Sequence, residues 1–185
     1  MGGIRSQRSS ATKPTLILNA TPLIYLAKVG LAERFRFVTF QLVTTEAVYR
    51  EVVEEGIRKG ISEAEGLEDL FKAGVIKIEK ANERIDDNSV LQGLEGTGIH
   101  LGKERVIALA LELQSTVVMD DQRARQVAKI LGVRVAGTPH LILHMVGPKL
   151  LTRSNAEKAI DTMIEKGWRC GPSHYSEILK LISKA

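Results

Sequence analysis

Short apolar runs alternate with longer amphipathic stretches along this chain. The short runs are rich in β-branched residues and match the length of buried strands. We predict strands at 15–19, 37–44, 75–80, 115–121 and 133–138. The longer stretches repeat their apolar positions at helical spacing, and we predict helices at 22–35, 46–60, 61–74, 103–113, 122–132 and 139–147, with two short helices in the last 35 residues.

Several predicted helix ends carry residues that suit those positions. Pro22 falls in the first turn of its helix, where a missing N–H is tolerated. Thr44 or Thr45 is placed to cap the next helix, and Gly60 and Gly132 are placed to end two others. The polar, Gly-rich stretch 82–104 predicts a loop, and the helix that follows it is apolar nearly all round, which is typical of a buried helix.

This alternation of strands and helices predicts a three-layer α/β fold, with a mainly parallel sheet covered by helices on both faces. In such sheets the functional crevice lies at the carboxyl ends of the strands. That rule selects Asn19, which ends the first strand, and Asp120 and Asp121, which end the fourth.

Length and composition indicate one domain over 15–185, preceded by a basic tail at 1–14. The single cysteine, Cys170, excludes an intramolecular disulfide and a cysteine-based zinc cluster. A net charge of +4 is compatible with a polyanionic partner. The apolar runs are too short for a membrane span and no secretory signal is recognised, so we expect no membrane association and a cytoplasmic location.

Two of the four histidines, His140 and His144, are spaced to share one face of a helix. That spacing suits two metal ligands, but Leu141 follows His140 where a zinc peptidase motif has glutamate. The sequence therefore favours packing or surface roles for this pair over a metal site.

Two helix carboxylates join the polar groups at the predicted edge. Glu51 lies midway along the second helix, and Glu104 lies in the first turn of the apolar helix. Acidic groups gathered at one edge repel one another unless a cation neutralises them, and Mg²⁺ or Mn²⁺ prefers such oxygen ligands. Each residue also has a possible structural role. Glu104 can interact favourably with the helix dipole, Glu51 can be a solvated surface residue, and Asp121 can cap the next helix.

The order LILNATPLIYLAKVG, TTEAVYREVV, LGKERVIALALEL and VVMDDQRARQVAKILGVRVAGT resembles a PIN domain. More narrowly, it is similar to the prokaryotic branch related to VapC-type toxins, over about residues 15–145 and with fitting C-terminal helices. The resemblance implies a Rossmann-like fold with an acidic Mg²⁺ or Mn²⁺ pocket that cleaves RNA. It also implies a homodimer and, for toxin members, a small antitoxin partner.

The resemblance assigns roles to individual positions. Asn19 stands at the family's first aspartate, Glu51 at the helix glutamate and Glu104 at the third acidic position, while Asp121, with Asp120, stands at the fourth. Thr21 matches the hydroxyl residue beside the first acid. An asparagine oxygen can ligate or accept a hydrogen bond but brings no charge, so this departure weakens the metal site, and Glu46 is one candidate to compensate.

Basic residues near the same edge, Lys103, Arg105, Arg123 and Arg125, are candidates for RNA phosphate contacts or ordinary solubilising residues. We expect a metal-dependent endoribonuclease. The alternative is a catalytically inactive PIN-like module that binds RNA or protein. A nucleotide-binding Rossmann protein is disfavoured because no Gly-rich phosphate turn follows the first strand. Trp168 and Tyr175 are expected to pack rather than to stack on bases.

Overall fold

The computed structural model of the chain describes residues 13–80 and 101–185. Within them, five strands form one sheet in the order β3-β2-β1-β4-β5, and every neighbouring pair is parallel. The strands are β1 (Thr15–Leu18), β2 (Gln41–Thr44), β3 (Ile76–Ile78), β4 (Thr116–Val118) and β5 (Arg134–Ala136). All five predicted strands exist, and each is shorter than predicted.

The α-helices of the described residues follow the predicted order. They are α1 (Ala20–Lys28), α2 (Glu46–Tyr49), α3 (Glu55–Arg58), α4 (Glu63–Lys72), α5 (Leu101–Glu112), α6 (Gln122–Ile130), α7 (Thr138–Val146), α8 (Arg153–Glu165) and α9 (Pro172–Lys184). A 3₁₀ helix, Ala32–Phe37, lies between α1 and β2, and a π-helical segment, Arg50–Glu54, joins α2 to α3.

The helix predicted over 22–35 is in fact two helices. Gly30 has φ of 70°, a left-handed conformation that ends α1, and the chain restarts as the 3₁₀ helix. Phe37 closes that 3₁₀ helix and is exposed, so the predicted second strand starts only at Gln41. The sequence pattern missed this because alternation alone does not distinguish a short turn of helix from the start of a strand.

Helices cover both faces of the sheet, as predicted. On one side α1 packs against α4 and α7, and on the other α5 packs against β1, β4 and α6. Apolar side chains from β1, β2 and β4 form the centre of the core, and Ile17, Leu18 and Val117 are fully buried. This is a three-layer α/β fold.

The buried helix predicted at 103–113 is confirmed. It begins at Leu101, so the last four residues of the loop predicted over 82–104 are helical, and the rest of that prediction lies outside the described residues. Residues 106–110 are buried without interruption, which explains the absence of a polar face in this part of α5.

None of the helices described in 13–80 and 101–185 combines the length and hydropathy that a membrane span requires.

Candidate functional site

Hydrogen bonds extend the sheet one residue beyond its strands at the carboxyl edge. The N–H of Asn19 donates to the Val118 carbonyl at 3.0 Å, and the N–H of Met119 donates to the Ala136 carbonyl at 3.0 Å. With the parallel registers, these bonds bring the residue after β1 beside the residues after β4 and β5. The end of β1 and the end of β4 therefore meet at one edge, as the parallel fold requires.

Asn19 is the amide at the centre of this edge. It is 3% exposed and occupies the N-cap position of α1 with extended backbone, φ −83° and ψ 171°. Its side chain makes no capping hydrogen bond to that helix. Asparagine is a common capping residue, so a buried Asn19 that does not cap the helix leaves its amide for another role.

Glu104 reaches the same edge from α5. It lies in the first turn of that helix and is 8% exposed, which is unusual for a glutamate. The neighbouring Lys103 extends its Nζ to within 2.7 Å of Asp121 Oδ2, and this fixes the start of α5 beside the end of β4. The first turn of α5 therefore lies at the carboxyl edge that also holds Asn19.

Both carboxylate oxygens of Asp121 accept structural hydrogen bonds. Its Oδ1 accepts from the Ala124 N–H at 2.9 Å and caps α6, as the structural alternative at this position predicted. Its Oδ2 accepts from Lys103. Burial raises the pKa of Asp121, but hydrogen bonds from Ala124 and Lys103 and the charge of Lys103 outweigh burial and lower the pKa below its ordinary value. Asp121 is therefore ionised at neutral pH.

Asp120 faces away from Asp121, toward α7. Its Oδ1 accepts from the Thr138 N–H at 2.8 Å, and its Oδ2 accepts from the Thr138 hydroxyl at 2.5 Å and from the Trp168 indole N–H at 3.1 Å. Both carboxylate oxygens of Asp120 are thus engaged in joining β4 to α7 and to the segment before α9. Trp168 itself is 5% exposed, so it packs inside the protein.

The two carboxylates on the helix after β2 are at the surface. Glu51 is exposed within the π-helical segment, while the next two residues, Val52 and Val53, are buried. Glu46 pairs with Arg50 at 2.7 Å on the exposed side of the helix. The buried polar groups at the edge therefore include Asn19 and Glu104 but not Glu51 or Glu46.

Thr45 also lies at this edge, although the sequence predicted only a helix-capping role for it. It follows β2, and the register of β1 with β2 makes it the neighbour of Asn19. Its hydroxyl is buried and has no hydrogen-bond partner among the described residues. The rule that selected Asn19 from the end of β1 also selects Thr45 from the end of β2. The sequence alone was therefore sufficient to identify Thr45 as a residue of this edge.

The predicted RNA-contacting residues differ in their solvent exposure and in the contacts they already make. Arg105 and Arg123 are exposed, and Thr21 is half-buried on α1. Lys103 is paired with Asp121, and Arg125 donates to the Met119 carbonyl at 2.9 Å.

A cavity of about 610 Å³ opens beside the edge, bordered among others by Asp120, Arg125, His140, Trp168 and Arg169. It lies on the β5 side of the sheet, next to Thr138 and the start of α7. Asn19, Glu104 and Asp121 are not among the residues that line it.

Within 13–80 and 101–185, no three side chains of His, Cys, Asp or Glu gather closely enough to hold a metal ion. Asn19 follows β1, Asp121 caps the helix after β4, and Glu104 lies in the first turn of α5. Position 19 carries a neutral amide where the resemblance places the family's first aspartate.

A family model described as a PIN domain matches residues 15–184. The chain belongs to the PIN-domain family. This agrees with the predicted resemblance and with the parallel three-layer fold, and the match begins at the first residue of β1. No curated protein matches the chain significantly.

Proposed function

We propose that this PIN-domain protein is a metal-dependent endoribonuclease that hydrolyses RNA phosphodiester bonds at the carboxyl edge of its sheet. The observation that carries the proposal is the position of buried Asn19 and buried Glu104 at the edge where Lys103 pairs with Asp121. Polar residues that are this strongly buried need a reason, and membership of the PIN family supports a nuclease site as that reason.

The donor chemistry of this edge fits Mg²⁺ or Mn²⁺. Carboxylate oxygens of Glu104 and Asp121 and the amide oxygen of Asn19 are of the type these ions take, and the orphaned hydroxyl of Thr45 lies beside Asn19. Glu51 is a further candidate ligand, taken from its position in the family motif. A bound divalent ion would supply a water of lowered pKa and stabilise charge on the phosphate.

The chain's own residues would position the reactants. Asn19 has both an acceptor oxygen and a donor amino group, so it can orient a water or a phosphate oxygen without adding charge. The Lys103 ammonium holds Asp121 ionised and offsets one negative charge where an anionic RNA must approach. Asp120 would act as a positioning residue, because its oxygens fix the segment that follows β5.

The exposed residues Arg105 and Arg123 are the best candidates for phosphate contacts. Each phosphate contact adds to the salt dependence of RNA binding, with a slope of about −0.7 in log affinity per contact for a single strand. A cytoplasmic toxin that works as a homodimer and is held by a small antitoxin is the biological setting we propose.

The test is cleavage of a mixed RNA pool with Mn²⁺ present or chelated. We expect Mn²⁺-dependent cleavage that falls in Glu104→Gln and Asp121→Asn and rises in Asn19→Asp. Glu33→Gln is the matched control, since Glu33 is an exposed carboxylate that pairs with Arg36 in the 3₁₀ helix. The proposal fails if neither the natural chain nor Asn19→Asp cleaves RNA.

A second candidate is a PIN-like module that binds RNA or protein without cleaving it. It is favoured by the neutral Asn19 and by the absence of a three-carboxylate cluster among the described residues. Under this candidate RNA binding persists without Mn²⁺, and Asn19→Asp adds no cleavage.

A further inference from the structure

The two histidines of α7 face each other at close range. The Nε2 atoms of His140 and His144 are hydrogen-bonded to each other at 2.9 Å, and the ring centroids are separated by 4.4 Å. The residues are one helical turn apart on the same face, and both are exposed. Both side chains are therefore accessible from solvent on this face of α7.

This nitrogen separation fits a chelate. Metal–imidazole bonds are about 2.0–2.1 Å long, and two such bonds at a right angle place the nitrogens about 2.9 Å apart. A tetrahedral angle would separate them by about 3.4 Å at the same bond length. The geometry points to a surface site for a divalent late transition metal with right-angled coordination, such as Ni²⁺ or Cu²⁺, held by His140 and His144.

The packing and the lowered pKa of the two imidazoles also favour metal binding. The ring of His144 packs edge-on against Phe40 at 4.8 Å, which fixes its orientation. Partial burial lowers the pKa of both histidines, and the charge of His144 lowers that of His140 further, so both rings are neutral at pH 7. Neutral imidazole is the ligating form, and the ring that donates the Nε2 proton only has to move it to Nδ1.

Water or an external ligand would complete the coordination. No third His, Cys, Asp or Glu joins the pair within the described part of the chain. The site differs from the proposed nuclease site in its chemistry, because imidazole suits late transition metals whereas carboxylate and amide oxygens suit Mg²⁺ and Mn²⁺. Variants of the two histidines leave the carboxylate edge intact, so the two sites can be tested separately.

The experiment is titration calorimetry of the full chain with Ni²⁺ at pH 7.5, using the natural chain, His140→Ala, His144→Ala and the control His174→Ala. His174 is an exposed histidine on α9 whose ring contacts Trp168 rather than the pair. Circular dichroism of each metal-free variant checks that it is folded. Removing one of two linked ligands removes the chelate gain, so we expect the Ni²⁺ affinity of the histidine pair to fall roughly tenfold to hundredfold in either pair variant, while Ni²⁺ bound at the carboxylate edge is unaffected.

The control His174→Ala is expected to bind Ni²⁺ as the natural chain does. At the same Ni²⁺ concentration, the thermal midpoint should rise more in the chains that keep both histidines than in the pair variants. The proposal is overturned if the natural chain does not bind Ni²⁺, if either pair variant binds it with unchanged affinity, or if His174→Ala weakens binding as much as the pair variants do.

Discussion

The Nζ atom of Lys103 lies 2.7 Å from Oδ2 of Asp121, and this ion pair joins the first turn of α5 to the N-cap of α6. The lysine is the neighbour of buried Glu104, and the aspartate follows the strand that is hydrogen-bonded to Asn19. One contact thus ties together the two chain segments that supply carboxylates to the edge of the sheet.

Loss of this pair has a defined effect on the pH dependence of stability. In Lys103→Met, Asp121 loses the hydrogen bond and the charge of Lys103, both of which lower its pKa, while burial still raises it. The pKa of Asp121 therefore rises. A carboxyl with a lowered pKa in the folded state stabilises the fold above its ordinary pKa, and that contribution is lost as pH falls through the folded value. The variant is therefore less stable than the natural chain at neutral pH.

Urea midpoints measured from pH 7 down to acid pH check this prediction. The difference between Lys103→Met and the natural chain should shrink as pH falls and vanish once Asp121 is protonated in both. Arg105→Met is the control, because Arg105 is an exposed cation two residues along the same helix. A pH-independent loss of stability in Lys103→Met would show that the pair does not govern the ionisation of Asp121.

Asp120→Asn is expected to destabilise the protein although it preserves size. The carboxylate accepts from three donors on Thr138 and Trp168, and an amide must turn an N–H₂ group toward at least one of them. Leaving a donor of this kind unsatisfied costs about 1–3 kcal/mol of unfolding free energy. Denaturant unfolding measures the loss.

Asp161→Asn is the matched change for Asp120→Asn. Asp161 is exposed and accepts one hydrogen bond from the Tyr175 hydroxyl, which an amide oxygen can still accept. An unfolding free energy unchanged in both variants would contradict the structural role we assign to Asp120.

Two helical glycines should respond oppositely to alanine. A Cβ built at Gly56 would lie 2.7 Å from Cβ of Ala64, so Gly56→Ala overpacks the contact between α3 and α4 and costs about 1–3 kcal/mol. A Cβ at Gly66 meets nothing within 4 Å, so Gly66→Ala should stabilise α4 by up to about 1 kcal/mol. Thermal or denaturant unfolding of both variants compares them directly, and destabilisation by Gly66→Ala would be inconsistent with the open space around it.

The layout of the fold was predictable from sequence because buried parallel strands read as short apolar runs. The ends of the elements were less predictable. Gly30 ends α1 through a left-handed conformation. Of the alternating residues before Gln41, Phe37 ends the 3₁₀ helix and residues 38–40 belong to no helix or strand.

The candidate site was predictable to the extent that topology decides it. Asn19 and Asp121 follow strands, so the parallel sheet brings them to one edge. The direction of each side chain was not predictable: Asp120 and Asp121 are adjacent, yet one bonds to Thr138 and Trp168 and the other to Lys103 and Ala124. The close approach of His140 and His144 likewise depends on rotamers that spacing alone does not give.

The central claim is that Asn19, Glu104 and Asp121 form the core of a divalent-metal site. Titration calorimetry with Mn²⁺ on the natural chain, Asn19→Asp, Glu104→Gln and Glu33→Gln tests it most directly. We expect Asn19→Asp to bind Mn²⁺ roughly tenfold or more tightly than the natural chain, because it adds a charge to an oxygen ligand set that the ion prefers. Glu104→Gln should bind more weakly and Glu33→Gln equally. Equal Mn²⁺ affinity in all four chains, or no binding by Asn19→Asp, would contradict the account.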